Sequence, residues 1–117
     1  MQDNLYYIEI DKDLIPYRFD ITLGNSVYFM EFRYNRTFDF FTVDLLNEAE
    51  EPLVFGEPLV YGKQLFEDMD DIRFPVSRLV PLDLSGVESR ITFDNLNKTV
   101  FLYDLSETNT PEEGEAT

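Results

Sequence analysis

The residues of this chain that could do chemistry are carboxylates, and their densest run is Glu67-Asp68-Met69-Asp70-Asp71. Several oxygen ligands in one short loop are what calcium asks for. An EF-hand loop sets its carboxylates at alternating positions around a central Gly and closes on a Glu, and this run has neither the Gly nor the spacing. It reads as a solvated acidic turn following a short helix. Paired carboxylates also cleave glycosides, but with 24 Asp and Glu in the chain some pair lies close in any fold, so such a pair carries no information. Ser26, Ser77, Ser85, Ser89 and Ser106 have no imidazole to activate them, because the chain contains no His. It contains no Cys either, which removes disulfides, zinc–thiolate sites, iron–sulfur clusters and thiol catalysis. No Gly-rich phosphate loop, Gly-x-Ser-x-Gly elbow or dinucleotide fingerprint occurs. The expectation is a protein that is not an enzyme and holds neither cofactor nor metal.

The charge balance narrows the partners. Twenty-four acidic against nine basic residues give a net charge of −15. Such a chain repels phosphate backbones and anionic lipid surfaces, so nucleic acid and membrane are not expected partners, whereas basic proteins or cations are attracted. No apolar run approaches the roughly 20 residues of a membrane helix. Met1-Gln2-Asp3-Asn4 lacks the basic start and apolar stretch of a signal peptide, so synthesis is expected to end in the cytoplasm.

The elements that must position these residues are strands. The 117 residues are 44% hydrophobic and 15% aromatic, with eleven Phe, seven Tyr and no Trp. That composition favours sheets and supplies a sizeable core. Leu5 to Ile10 reads as a first strand. Tyr17 to Leu23 alternates apolar odd positions with polar even ones, the period of a strand with one wet face. Gly24-Asn25 then makes a two-residue hairpin turn. Ser26 to Tyr34 follows, then a turn at Asn35-Arg36-Thr37 and a strand over Phe38 to Leu46. Pro52 and Gly56 mark one bent or bulged edge strand through Leu53-Val54-Phe55 and Leu59-Val60-Tyr61. Leu65, Phe66 and Met69 suggest one short helix near Gln64 to Asp70. Arg78 to Leu84 returns to β character around Pro81, and Thr99 to Tyr103 closes the domain. The fold class expected is all-β, a small antiparallel β-barrel or sandwich with one short helix. Residues 1–105 form a single β-domain, and 106–117 form an acidic C-terminal tail with no large apolar residue, a composition that alone stays disordered.

The third strand carries the site candidates. Tyr28, Met30, Phe32 and Tyr34 share one face, where core packing explains them better than a base-stacking platform, since stacking sheets pair aromatics with a basic groove. Val27, Phe29, Glu31 and Arg33 share the other. Val27 and Phe29 lie either under a second layer or in an exposed apolar patch, so these four residues are the candidate interface.

The order of segments resembles the small baseplate plug proteins of tailed phages, a family described in a cyanophage. The resemblance is carried by Tyr6 to Ile10, Pro16-Tyr17-Arg18-Phe19, the Leu23-Gly24-Asn25 hairpin and the aromatic strand ending Arg33-Tyr34-Asn35. It continues through Phe41 to Leu45, the Pro-Leu-Val repeat flanking Gly56, the segment Pro75 to Asp83 and the closing Val100 to Tyr103. It spans residues 5–105. The chain departs from the family in its aromatic hairpin, where Trp is common and this sequence has Tyr34 and Phe38 to Phe41. The resemblance implies a structural virion component of the tail baseplate, docking between tail tube and hub or spike. It implies other tail proteins as partners, a homo-oligomer within a symmetric assembly, and no catalytic residues. The alternative from the residues alone is a small acidic ligand-binding β-barrel, for carbohydrate or a calcium-dependent partner.

Overall fold

The computed structural model describes residues 6–69, 73–75 and 77–106. Its strands are β1 (Tyr6–Ile8), β2 (Tyr17–Leu23), β3 (Ser26–Asn35), β4 (Phe40–Leu46), β5 (Pro52–Pro58), β6 (Leu79–Leu82) and β7 (Phe101–Asp104). They form two antiparallel sheets, one of order β2-β3-β4-β5 and one of order β1-β7-β6. The sheets are not closed into a barrel. Their inner faces feed one core, so the architecture is the sandwich of the two expected forms.

The meander β2 to β5 is built locally. Leu23 pairs with Ser26 across Gly24-Asn25. Only Gly24 of the two has positive φ, at +64°, the pattern of a type II′ turn whose twist suits the flanking strands. The odd positions of β2 face inward against Met30, Tyr28 and Phe32 of β3, and Phe41, Val43 and Leu45 of β4 continue the same face. Met30, Phe32, Phe41, Val43 and Leu45 are fully buried. Each such side chain contributes about 1.5–3 kcal/mol of burial free energy. Phe19 stacks on Phe32 with parallel rings, and Tyr34, Phe41 and Phe93 close one end of the core.

The second sheet joins the two ends of the chain. β7 is central, with Tyr7 opposite Tyr103 and Val80 opposite Tyr103 on the other side. Ile8, Leu79, Pro81 and Leu102 face the core. Pro81 is tolerated because β6 is an edge strand.

Three expectations require correction. The short helix near Gln64 to Asp70 is replaced, over its described residues, by turns. Phe66 sits at φ +61°, outside the right-handed helical region. The amide of Leu65 donates to Leu79 O and that of Phe66 to the Glu57 carboxylate, so neither is committed to a helix. Among the described residues the one helical turn is 3₁₀, over Lys12–Leu14, where Asp11 caps the amide of Asp13. The strand expected from Phe38 begins at Phe40 instead, because Asn35 Oδ1 takes the Phe38 amide and Asp39 has φ +55°. The bulged edge strand is present as β5, but it ends at Pro58, before Leu59-Val60-Tyr61. Glu107 to Thr117, expected to be disordered alone, lie outside the described residues, as do Asp70 and Asp71.

Candidate interaction surface

The four residues singled out on β3 lie on the outer face of the four-stranded sheet, opposite the core positions. They divide into two halves. Glu31 stands between Arg18 of β2 and Asp44 of β4, and Arg33 lies next along the strand. Arg18 Nε donates to Glu31 Oε1 at 2.9 Å and its Nη1 to Glu50 Oε1 at 3.0 Å. Arg33 donates to the other Glu31 oxygen and, through Nε, to Asp44 Oδ2 at 3.1 Å. Asp44 Oδ1 also accepts the Gly56 amide at 2.8 Å. Hydrogen bonds to Glu50 and then Glu31 hold the Arg18 guanidinium still more firmly protonated than usual. Glu31 and Arg33 are therefore partners within the chain, in a ladder of alternating charge across β2, β3 and β4.

The other half is apolar. Val27 lies opposite Thr22, and Phe29 lies between Asp20 and Leu46. Both are half-buried, and Val27 borders a shallow depression of about 280 Å³ beside Asn47 and Leu53. Alternation along the strand brings all four candidates to one face, and cross-strand pairing splits them into an ion-paired rim and an apolar end.

Two further surfaces escape sequence reading. On the outer face of the smaller sheet, Tyr7, Phe101 and Tyr103 form a ring cluster, with centroids 4.6 Å apart for Tyr7–Phe101 and 6.3 Å for Tyr7–Tyr103. Burial raises the Tyr103 phenol above its ordinary value. The alternation of Phe101 and Tyr103 was the available signal, but only the β1–β7 pairing adds Tyr7. The second surface is a groove of about 500 Å³ between β1 and β2, lined by Tyr6, Ile8 and Glu9 on one side and by Phe19, Asp20 and Ile21 on the other.

The carboxylates with displaced proton affinities serve loops. Asp83 accepts from Ser85 Oγ at 2.6 Å and from the amides of Ser85, Val87 and Glu88, and these bonds, the hydroxyl's first, lower its pKa. Asp39 Oδ1 accepts from Tyr34 Oη at 2.7 Å and from the Phe93 amide at 2.8 Å, which lowers its pKa and raises that of Tyr34. These arrangements hold both carboxylates ionised and hydrogen-bonded within the chain, and leave neither with a proton to give at neutral pH. In the acidic run, Glu67 and Asp68 are exposed and Lys63 Nζ lies 3.9 Å from Asp68 Oδ2. Among the described residues, no three acidic side chains converge as a metal would require.

The family model described as cyanophage baseplate Pam3 plug gp18 matches residues 5–107. Among curated proteins, none matches the chain.

Proposed function

The chain belongs to the cyanophage baseplate plug family, and from that premise we propose that it docks between the tail tube and the hub or spike and works by packing alone. A baseplate component is a structural part of the virion tail and associates with other tail proteins. The match over residues 5–107 carries the proposal, because it takes in every strand of both sheets. Residues 1–105 act as one β-domain with an acidic tail at 106–117, assembled in the host cytoplasm as copies within a symmetric ring. No turnover belongs to this role. The perturbed carboxylates Asp39 and Asp83 accept from the chain's own donors, which supports a scaffold over a catalyst.

The docking face is the outer side of β3. Val27 and Phe29 supply the apolar contact, and Glu31 and Arg33, fixed by Arg18 and Asp44, form a rigid charged rim beside it. Cross-linking mass spectrometry on purified virions tests the placement: the chain is expected to link to tube and hub or spike proteins. A chain that remains monomeric and co-assembles with none of its tail proteins overturns the proposal. Phe29→Asp should abolish incorporation while the purified variant still unfolds cooperatively.

A further inference from the structure

Every edge strand of a sheet offers unpaired backbone groups, and folds blunt them unless a partner uses them. Here three edges differ from the fourth. β5 carries Pro52, Gly56 and Pro58 and a shifted register. β6 is covered by the chain itself: Gly62 donates to Pro81 O and Leu65 to Leu79 O, both at 2.8 Å. β1 is three residues long over the described residues. β2 alone is a seven-residue edge with unbroken register, no Pro and no bulge.

The register says which groups are free. Leu23 and Ser26 flank a two-residue turn, and the pair closing such a turn exchanges both backbone hydrogen bonds. Counting back in twos, Ile21, Phe19 and Tyr17 also bond to β3. The amides and carbonyls of Arg18, Asp20 and Thr22 therefore point away from the sheet, into the side of the sandwich where the β1–β2 groove lies. Among the described residues, no other backbone group bonds to these three.

The groove also has a sign. Glu9, Asp20 and Asp104 line it, and among the described residues no Lys or Arg does. Its apolar wall comes from Ile8, Phe19 and Ile21. A second copy at net charge −15 meets like charge there, and an antiparallel β2–β2 pairing centred on Asp20 would set Asp20 against Asp20. The chain's own ends carry Asp3 at one terminus and four Glu at the other, with no Lys or Arg in residues 1–5 or 107–117.

We infer that the free edge of β2 receives an extended strand from another tail protein, one that alternates apolar residues with Lys or Arg. Its apolar side chains enter the groove against Phe19 and Ile21, its backbone pairs with Arg18, Asp20 and Thr22, and its cations face Asp20 and Glu9. The added strand extends the sheet whose outer face carries Phe29 and Val27, so the two contacts are continuous. Only the ownership of the strand rests on the plug proposal.

Amide hydrogen exchange on the full chain tests the inference, with a capped eight-residue peptide of alternating Val and Lys as probe. In the free chain, Arg18, Asp20 and Thr22 amides should exchange fast and those of Phe19 and Ile21 slowly. Saturating peptide should slow the first three by about tenfold or more. A peptide of the same composition with its Lys in one block should not protect them. Thr22→Pro removes an outward amide without breaking a β2–β3 bond and should abolish the protection. Asp20→Lys should weaken binding by about tenfold should the proline variant not fold. The inference is overturned if these amides are already protected in the dilute free chain, if protection rises with protein concentration alone, or if the blocked peptide protects equally. A Thr22→Pro chain that still enters baseplates overturns it and leaves the plug proposal standing. Protection by the peptide with no cross-link to any tail protein does the reverse.

Discussion

At the scale of single residues, buried hydrogen-bonded carboxylates do the work that regular structure does elsewhere. Asp83 gathers a hydroxyl and the amides of Ser85, Val87 and Glu88, and its carbonyl takes the Gly86 amide, so residues 85–88 need no strand or helix to satisfy their donors. Its carboxyl ionises more readily in the folded chain than in the unfolded one. The stabilisation is therefore full above the unfolded value of about 4 and is lost as the pH falls through the lower folded value. Asp83→Asn keeps the shape but turns a donor toward the Val87 and Glu88 amides. Its melting temperature should fall below wild type at neutral pH, and the gap should close below about pH 4. A gap constant across the titration would assign the effect to shape and not to charge. In the core, Phe32→Ala removes a fully buried ring stacked on Phe19. Denaturant unfolding should show a loss of about 3–5 kcal/mol.

At the scale of elements, the bulge in β5 and the ladder across β2 to β4 are coupled through Asp44. This carboxylate is 3% exposed and binds both Arg33 and the Gly56 amide. Asp44→Ala takes the charged acceptor from the Gly56 amide, while half-exposed Arg33 can return to water. The expected cost is about 1–3 kcal/mol by denaturant unfolding. Gly56 has φ +71° with open space around a would-be Cβ, so Gly56→Ala should cost about 1–2 kcal/mol through backbone strain alone. If the two losses add in the double variant, the bulge and the ladder are independent. The same elements explain what was legible beforehand. The β2–β3–β4 meander follows from alternation and a Gly-Asn turn, all within one stretch of chain, and alternation also puts Val27, Phe29, Glu31 and Arg33 on one face. What pairing decides was hidden: the capture of Glu31 by Arg18, the joining of Tyr7 to Phe101 and Tyr103, and the open flank of β2. The spacing of Leu65, Phe66 and Met69 fits a helix as well as it fits a turn. Tertiary hydrogen bonds from the Leu65 and Phe66 amides to Leu79 O and the Glu57 carboxylate decide for the turn.

At the scale of the whole molecule, the charge of −15 sets how copies and partners can meet. Copies in the proposed symmetric assembly would repel one another, and that repulsion is screened over about 8 Å at physiological ionic strength. A basic partner strand is instead drawn to the surface, and the same screening weakens it. The two associations should therefore respond to salt in opposite directions. Sedimentation of the purified chain, with and without the alternating Val–Lys peptide, separates them between about 0.05 and 0.5 M salt. Self-association should strengthen as salt rises, whereas peptide binding should weaken. Peptide binding that is indifferent to salt would mean that backbone pairing and apolar burial hold the strand without Asp20 and Glu9. Self-association that weakens with salt would mean that copies meet through complementary patches, with the cations of the Arg18–Glu31–Arg33 ladder turned toward a neighbour's acidic groove. The second outcome would place the contact between copies at the charged end of β3, and Arg18→Ala would then be the variant that dissolves it.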